Sequence, residues 1–239
     1  MEFSLLGAVF FAVIPLYATI YWEARRGNAA ACSKDLWDLA LTAAVVGLVV
    51  GRVAAMVGDG VNPMTNLADL LIVRGGVATG PATVAAILTI AWMGRHELWA
   101  VLDGLSAAAV AGLSGWHAGC LARDACLGTP TGLPWGATLS GSSVTRHPVE
   151  LYAAIALALV AGALALWKMR GRPIPGVPAG LALAAASLVR LATEPFRPTF
   201  SGGPIRWSWL GLIVGLSFSG WRWWSSQRDL RAERENVNP

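Results

Sequence analysis

Arg190, Glu194 and Arg197 stand at spacings of i, i+4 and i+7, so on a continuous helix two guanidinium groups and one carboxylate would share a face. Pro195 is expected to end or bend that helix, leaving Arg197 at its boundary. Two kinds of chemistry suit the set. An Arg–Glu pair can neutralise itself and hold two helices together. An arginine fork can instead grip a phosphate, with the carboxylate fixing its orientation. Two arginines against one glutamate leave an excess of positive charge, which favours the phosphate.

A second constellation runs from Thr145 through Arg146, His147, Pro148, Val149 and Glu150 to Tyr152. Pro148 suits the first turn of a helix, and Glu150 then lies close to the positive end of the helix dipole. His147, at the helix entrance, can act as a base or cap the turn. Tyr152 can anchor the chain at a membrane interface or donate a hydrogen bond to a polar headgroup. The three cysteines, Cys32, Cys120 and Cys126, have no metal-ligand spacing, and no metal site is expected. Cys120 and Cys126 can pair if their loop faces an oxidising compartment.

The elements that must position these residues are oily. Uncharged runs cover Phe3–Trp22, Gly75–Gly94 and Gly104–Ala122, and a helix crossing the hydrocarbon core needs about 20 mostly apolar residues. Mean hydropathy is +0.55, with 55% apolar and 13% charged residues, a composition that excludes an ordinary soluble domain. Seven spans are expected, over 3–22, 37–57, 76–93, 98–116, 149–168, 174–193 and 207–224. The fold class is therefore all-α: a polytopic membrane protein with one seven-helix domain over 1–224, an outer loop at about 117–148, and a polar tail, 225–239, expected to fray. Arg52, Asp103, Glu150, Arg190 and Glu194 interrupt or flank the spans, and ionisable groups held at such depth mark sites. The small net charge of +4 is scattered, so nucleic acid is not an expected partner.

Lys and Arg concentrate in alternate loops. Arg25, Arg26, Lys34, Arg95, Lys168, Arg170, Arg172, Arg222, Arg228, Arg231 and Arg234 fall on one side; Arg74, Arg123, Arg146, Arg197 and Arg206 fall on the other. The richer side should be cytoplasmic, which puts the amino terminus outside and the carboxyl terminus inside. Twelve tryptophans fit the aromatic belts of a membrane protein. The first residues lack the basic region of a signal peptide, so the first run is expected to be a retained helix. No repeat of transporter type is visible.

Arg146, His147, Pro148, Leu151 and Tyr152, followed one span later by Arg190, Glu194, Phe196 and Arg197, resemble the bacterial prolipoprotein diacylglyceryl transferase family. The stretch from Gly128 through Pro130, Leu133 and Trp135 to Gly136 is similar to a loop seen in many members. Gly51 and Arg52 in the second span and Asp103 in the fourth match in place and order. Such a resemblance implies transfer of a diacylglyceryl group from phosphatidylglycerol to the lipobox cysteine of a prolipoprotein, with release of glycerol-1-phosphate. It also implies a bacterial inner-membrane location, phosphatidylglycerol, the prolipoprotein signal peptide and membrane lipids as partners, and neither metal nor cofactor. Arg190, Glu194 and His147 would then be the catalytic residues. Arg197, Arg146, Arg52 and Tyr152 would bind the phospholipid, with Glu194 orienting Arg190.

The chain departs from that family in three places. A His-Gly-Gly run usual in the third span is replaced by Ala78, Thr79, Gly80 and Pro81. A Gly-Arg-x-Gly motif opening the long loop reads Gly112, Leu113, Ser114 and Gly115, without the arginine. A Ser-Gln pair near the last span is Ser208 and Trp209. His117, shortly after Gly115, is expected to be an interfacial polar residue. The alternatives to transferase activity are a non-catalytic relative binding anionic phospholipid or lipoprotein signal helices, and a transferase with another acceptor.

Overall fold

Runs of Ala, Leu and Val with strong or tolerated helix propensity form seven α-helices among the described residues. The computed structural model describes residues 2–26, 33–66, 76–120, 126–138, 141–171, 173–198 and 205–237. The helices are α1 (Glu2–Arg25), α2 (Leu36–Gly58), α3 (Thr79–Met93), α4 (Leu98–Ala118), α5 (Val149–Arg170), α6 (Val177–Thr193) and α7 (Ile205–Val237), with a 3-10 turn, Glu194–Phe196, after α6. A two-stranded antiparallel ribbon joins β1 (Ala137–Thr138) to β2 (Thr145–Arg146), with Ala137 opposite Arg146.

Among the described residues the regular structure is helical apart from that ribbon, and each expected span falls on one helix. Four segments among the described residues are long and apolar enough to cross a membrane: α2, α4, α5, and α6 with its 3-10 extension. Helix α3 has 15 residues, about 22 Å at the α-helical rise. It starts three residues later than expected because Gly76, at φ +79°, is left-handed and Ala78, the N-cap, is extended. The stretch 225–237, expected to fray, continues α7. Cys32, Arg74, Gly75, Arg123 and Arg172 lie outside the described residues.

Side-chain placement inverts the soluble pattern. Phe10, Leu159 and Ile213 are 66%, 70% and 61% exposed, whereas Glu23, Arg52, Asp103 and Lys168 are buried. An apolar exterior of this extent needs a partner phase, and lipid is the one that suits these helices.

The chain divides into two compact units, residues 31–101 and residues 1–30 with 102–239. In the first, α2 and α3 pack through glycine. A Cβ on Gly51 would come within 2.6 Å of Val77 and 2.7 Å of Ala82, and one on Gly47 within 2.9 Å of the Ala82 carbonyl. Small residues permit this approach, the usual device for helix pairs in lipid. Arg52 is buried here and donates Nη1 to the Gly76 carbonyl at 2.9 Å.

In the second unit the core is a set of small and branched residues. Ala107, Val110 and Ala111 of α4 pack with Leu157, Ala161 and Leu164 of α5 and Ala182 of α6. Helices α6 and α7 meet at Gly180 and Gly215, where a Cβ on Gly215 would lie 2.6 Å from the Gly180 carbonyl. At the end where α4 and α6 begin, Asp103 caps α6: its carboxylate accepts from the Gly176 amide at 2.6 Å and the Ala179 amide at 3.0 Å. Lys168 donates to Glu23 at 2.9 Å and to the Asp103 carbonyl at 2.8 Å. This buried cluster ties α1, α4, α5 and α6 together. The opposite end, where α4 and α6 finish and α5 begins, is left for chemistry.

Candidate active site

Three helix ends converge at that opposite end. His117 occupies the last turn of α4 and Glu150 the first turn of α5, while Arg190 lies in the last turn of α6. Glu150 divides its carboxylate between two partners. Oε2 accepts from His117 Nδ1 at 2.5 Å, and Oε1 accepts a charge-assisted bond from Arg197 Nη1. The position favours a carboxylate, because the amide end of α5 supplies partial positive charge.

Arg197 is the unusual member. Its Nε and Nη2 are buried with no hydrogen-bond partner among the described residues. By the geometry of guanidinium these atoms share one edge, the fork that matches two oxygens of a phosphate or carboxylate. Buried donors left without partners cost about 1–3 kcal/mol, and more when charged. Arg190 pairs with Glu194. Arg190, Thr193, Arg197 and His117 line a cavity of about 320 Å³ whose remaining wall is mostly apolar, including Trp116 and Leu157. Cations above an oily wall suit an amphiphile with an anionic head.

Backbone bonds fix the turn that carries Arg197. Helix α6 stops at Thr193, residues Glu194–Phe196 tighten into the 3-10 turn, and Arg197 is extended at φ −84°, ψ 145°. Pro195 therefore ends the helix as expected, and the spacing that would have kept Arg197 on the face of Arg190 no longer applies. The Phe196 carbonyl accepts from the Thr129 amide at 2.8 Å, the Gly128 amide donates to the His147 carbonyl at 2.7 Å, and the His147 amide donates to the Thr129 carbonyl at 3.0 Å. Gly128 is needed for this approach: a Cβ there would run into the Phe196 carbonyl oxygen and Val149. A disulfide between Cys120 and Cys126, with Cα atoms 5.0 Å apart, joins the end of α4 to the strand of chain that reaches Gly128.

The structure brings Arg190, Glu194 and Arg197 to one place, although the carboxylate that holds Arg197 is Glu150. Arg146, His147 and Tyr152 come to the same end through β2 and the start of α5. Arg146 donates Nη1 to the Gly128 carbonyl at 3.1 Å. The Tyr152 hydroxyl accepts from Trp135 Nε1 at 2.9 Å and lies 3.4 Å from His147 Nδ1. The His147 ring packs on Phe196 with centroids 4.9 Å apart. Arg52 belongs to the other compact unit. His117, expected to be an interfacial polar residue, is instead largely buried and bonded to Glu150. Its signal in the sequence was weak: a histidine closing one helix and a glutamate opening the next, joined by a loop, must lie at the same end.

A family model described as prolipoprotein diacylglyceryl transferase matches residues 3–225. The phosphatidylglycerol–prolipoprotein diacylglyceryl transferase of Wolbachia sp. subsp. Brugia malayi (strain TRS) is 27% identical over 199 residues, covering 78% of this chain and 74% of its own length. Its counterpart in Wolbachia sp. subsp. Drosophila simulans (strain wRi) is 27% identical over 212 residues, 83% of this chain and 80% of its own. One of the same description from Chlamydia trachomatis serovar D is 29% identical over 161 residues, 62% and 57% of the two chains.

Proposed function

The chain belongs to the prolipoprotein diacylglyceryl transferase family, and from that premise we propose that it moves a diacylglyceryl group from phosphatidylglycerol to the lipobox cysteine of a prolipoprotein, releasing glycerol-1-phosphate. The reaction breaks a carbon–oxygen bond next to a phosphate and forms a carbon–sulfur bond. The attacking species is the thiolate, because the thiol is a poor nucleophile. The departing phosphate gains negative charge, which fixed cations and donors stabilise in a water-poor site.

Arg190 and Arg197 hold the phosphate on this reading. Glu194 orients Arg190, and Glu150 holds Nη1 of Arg197, so that the Nε–Nη2 edge is the one available to the phosphate. That buried, unpartnered edge beside Arg190 is the observation that carries the reading. Arg146, His147 and Tyr152 approach the glycerol end of the headgroup from the loop side, and Arg52 contributes field or helix pairing within its own unit. The oily wall of the cavity receives the first part of the diacylglyceryl group, while the signal peptide of the acceptor lies against the helices in the membrane. The protein works in the bacterial inner membrane with seven crossings, amino terminus outside and carboxyl terminus in the cytoplasm. The Cys120–Cys126 disulfide supports that orientation, since disulfides persist on the oxidising side.

A second reading, a relative that binds anionic phospholipid without turning it over, is favoured by Leu113 standing where the family's loop carries arginine. Depletion of a bacterium's own transferase separates the two. Plasmid-borne expression of this chain restores lipoprotein maturation and growth if it is a transferase; a lipid-binding relative restores neither.

A further inference from the structure

The phosphate end of the site is supplied with charge, but the reaction also needs a group that takes the proton from the acceptor thiol. We infer that His117, held by Glu150, is that base. The inference rests on the transfer reading above and names a residue for a step that reading leaves open.

Geometry separates His117 from the other candidates among the described residues at this end of the bundle. Glu150 has both oxygens engaged, by Arg197 and by His117. Glu194 is paired with Arg190. His147 has its ring against Phe196 and its Nδ1 near the Tyr152 hydroxyl. His117 lines the same cavity as Arg190 and Arg197, so a thiol brought to a phosphate held there comes to the imidazole as well. Because a carboxylate oxygen can only accept, its bond with Nδ1 at 2.5 Å puts a proton on Nδ1, so that in the neutral imidazole the lone pair is on Nε2. A base oriented by a third group through its far nitrogen is the arrangement that recurs in nucleophilic catalysis.

The step balances without any further reactant. The thiol gives its proton to Nε2, and the resulting thiolate attacks the glyceryl carbon that bears the phosphate. The sulfur–carbon bond forms as the carbon–oxygen bond breaks. The electron pair leaves on the phosphate oxygen, converting a diester monoanion to a monoester dianion between Arg190 and Arg197. The imidazolium, facing Glu150 on one side and the new phosphate dianion on the other, returns its proton to that phosphate or to water.

The test compares two acceptors on the full-length protein in phosphatidylglycerol micelles. One is a lipobox peptide; the other is the same peptide with selenocysteine in place of the cysteine, whose selenol ionises without help at neutral pH. His117→Gln is expected to lose about 100-fold or more in kcat/KM with the cysteine peptide, the scale of general-base catalysis, and less than about tenfold with the selenocysteine peptide. Its rate with cysteine should also climb with pH until the free thiol ionises near about 8.5. Because both acceptors meet the same preparation, a poorly folded fraction cancels in the ratio. Equal losses with the two peptides, or no loss with either, would overturn the assignment of His117 alone. A wild-type protein inactive with both would overturn the transfer reading, and the base with it.

Discussion

Arg197 donates its Nη1 to Oε1 of Glu150, 47 residues earlier in the chain. The pair joins the turn after α6 to the first turn of α5 and fixes which edge of the guanidinium is left over. Lysine in place of Arg197 would keep the charge but lose the fork. Each charge-assisted bond contributes about 1.5–3 kcal/mol, and 1.4 kcal/mol is about tenfold in rate. Arg197→Lys is therefore expected to lower kcat/KM by roughly 10- to 100-fold, read as glycerol phosphate released from phosphatidylglycerol. A wild-type value in this variant would show that the Nε–Nη2 edge carries no substrate contact.

Gly128 tests the same site without touching a charge. A methyl group there meets the Phe196 carbonyl and Val149, so the Thr129–Phe196 bond must open and Arg197 must move with it. Overpacking of this kind costs about 1–3 kcal/mol. Gly128→Ala should lower the thermal midpoint in detergent and reduce turnover together. If the midpoint and the turnover both stay at wild-type values, the turn does not hold Arg197 in place.

The disulfide is expected to contribute to stability. Cys120 and Cys126 are buried and six residues apart, and closing so short a loop is worth about 2 kcal/mol in the chain-entropy model. The double variant Cys120→Ser/Cys126→Ser should melt lower than wild type by an amount that reductant reproduces. In the unreduced, denatured wild-type protein neither thiol should react with maleimide. Rapid labelling of both would place the loop in a reducing compartment and reverse the proposed orientation.

Much of the helical frame could be read in advance because the length of an uncharged run decides whether a helix can lie in lipid. Pro148 marked the start of α5 and Pro195 the end of α6 for reasons of local backbone chemistry. The late start of α3 was not legible because Gly76 takes a left-handed backbone conformation that hydropathy does not register. Continuation of α7 to Val237 was not legible for the opposite reason: a polar stretch suggests a frayed tail, although Arg, Glu and Ala are good helix formers. At the site, Arg190 and Glu194 were legible from an i, i+4 spacing. The partners of Glu150 were not, since His117 reaches it from the end of α4 and Arg197 from the extended residue after the 3-10 turn, and no periodicity within one element encodes a meeting of separate chain segments.

The cluster at the far end makes a separate prediction about stability. Lys168 and Glu23 are both buried, and removing one partner of a buried pair costs about 3–5 kcal/mol because the other charge is left uncompensated. Lys168→Met or Glu23→Leu alone should strongly destabilise the protein, while the double variant should recover most of the loss. A double-mutant cycle in detergent unfolding measures the coupling. Additive losses would mean that the two groups do not act as a pair.

Direct observation of both products gives the sharpest test of the transfer itself. Purified protein, phosphatidylglycerol and a lipobox peptide are incubated together, and thioether-linked peptide and free glycerol-1-phosphate are quantified by mass spectrometry. The two are expected in equal amounts, with neither from a peptide carrying serine in place of the cysteine, and a severe loss of both in Arg190→Ala. Absence of both products beside an active relative under the same conditions would contradict the transfer, and would leave the cavity as a lipid-binding site without chemistry.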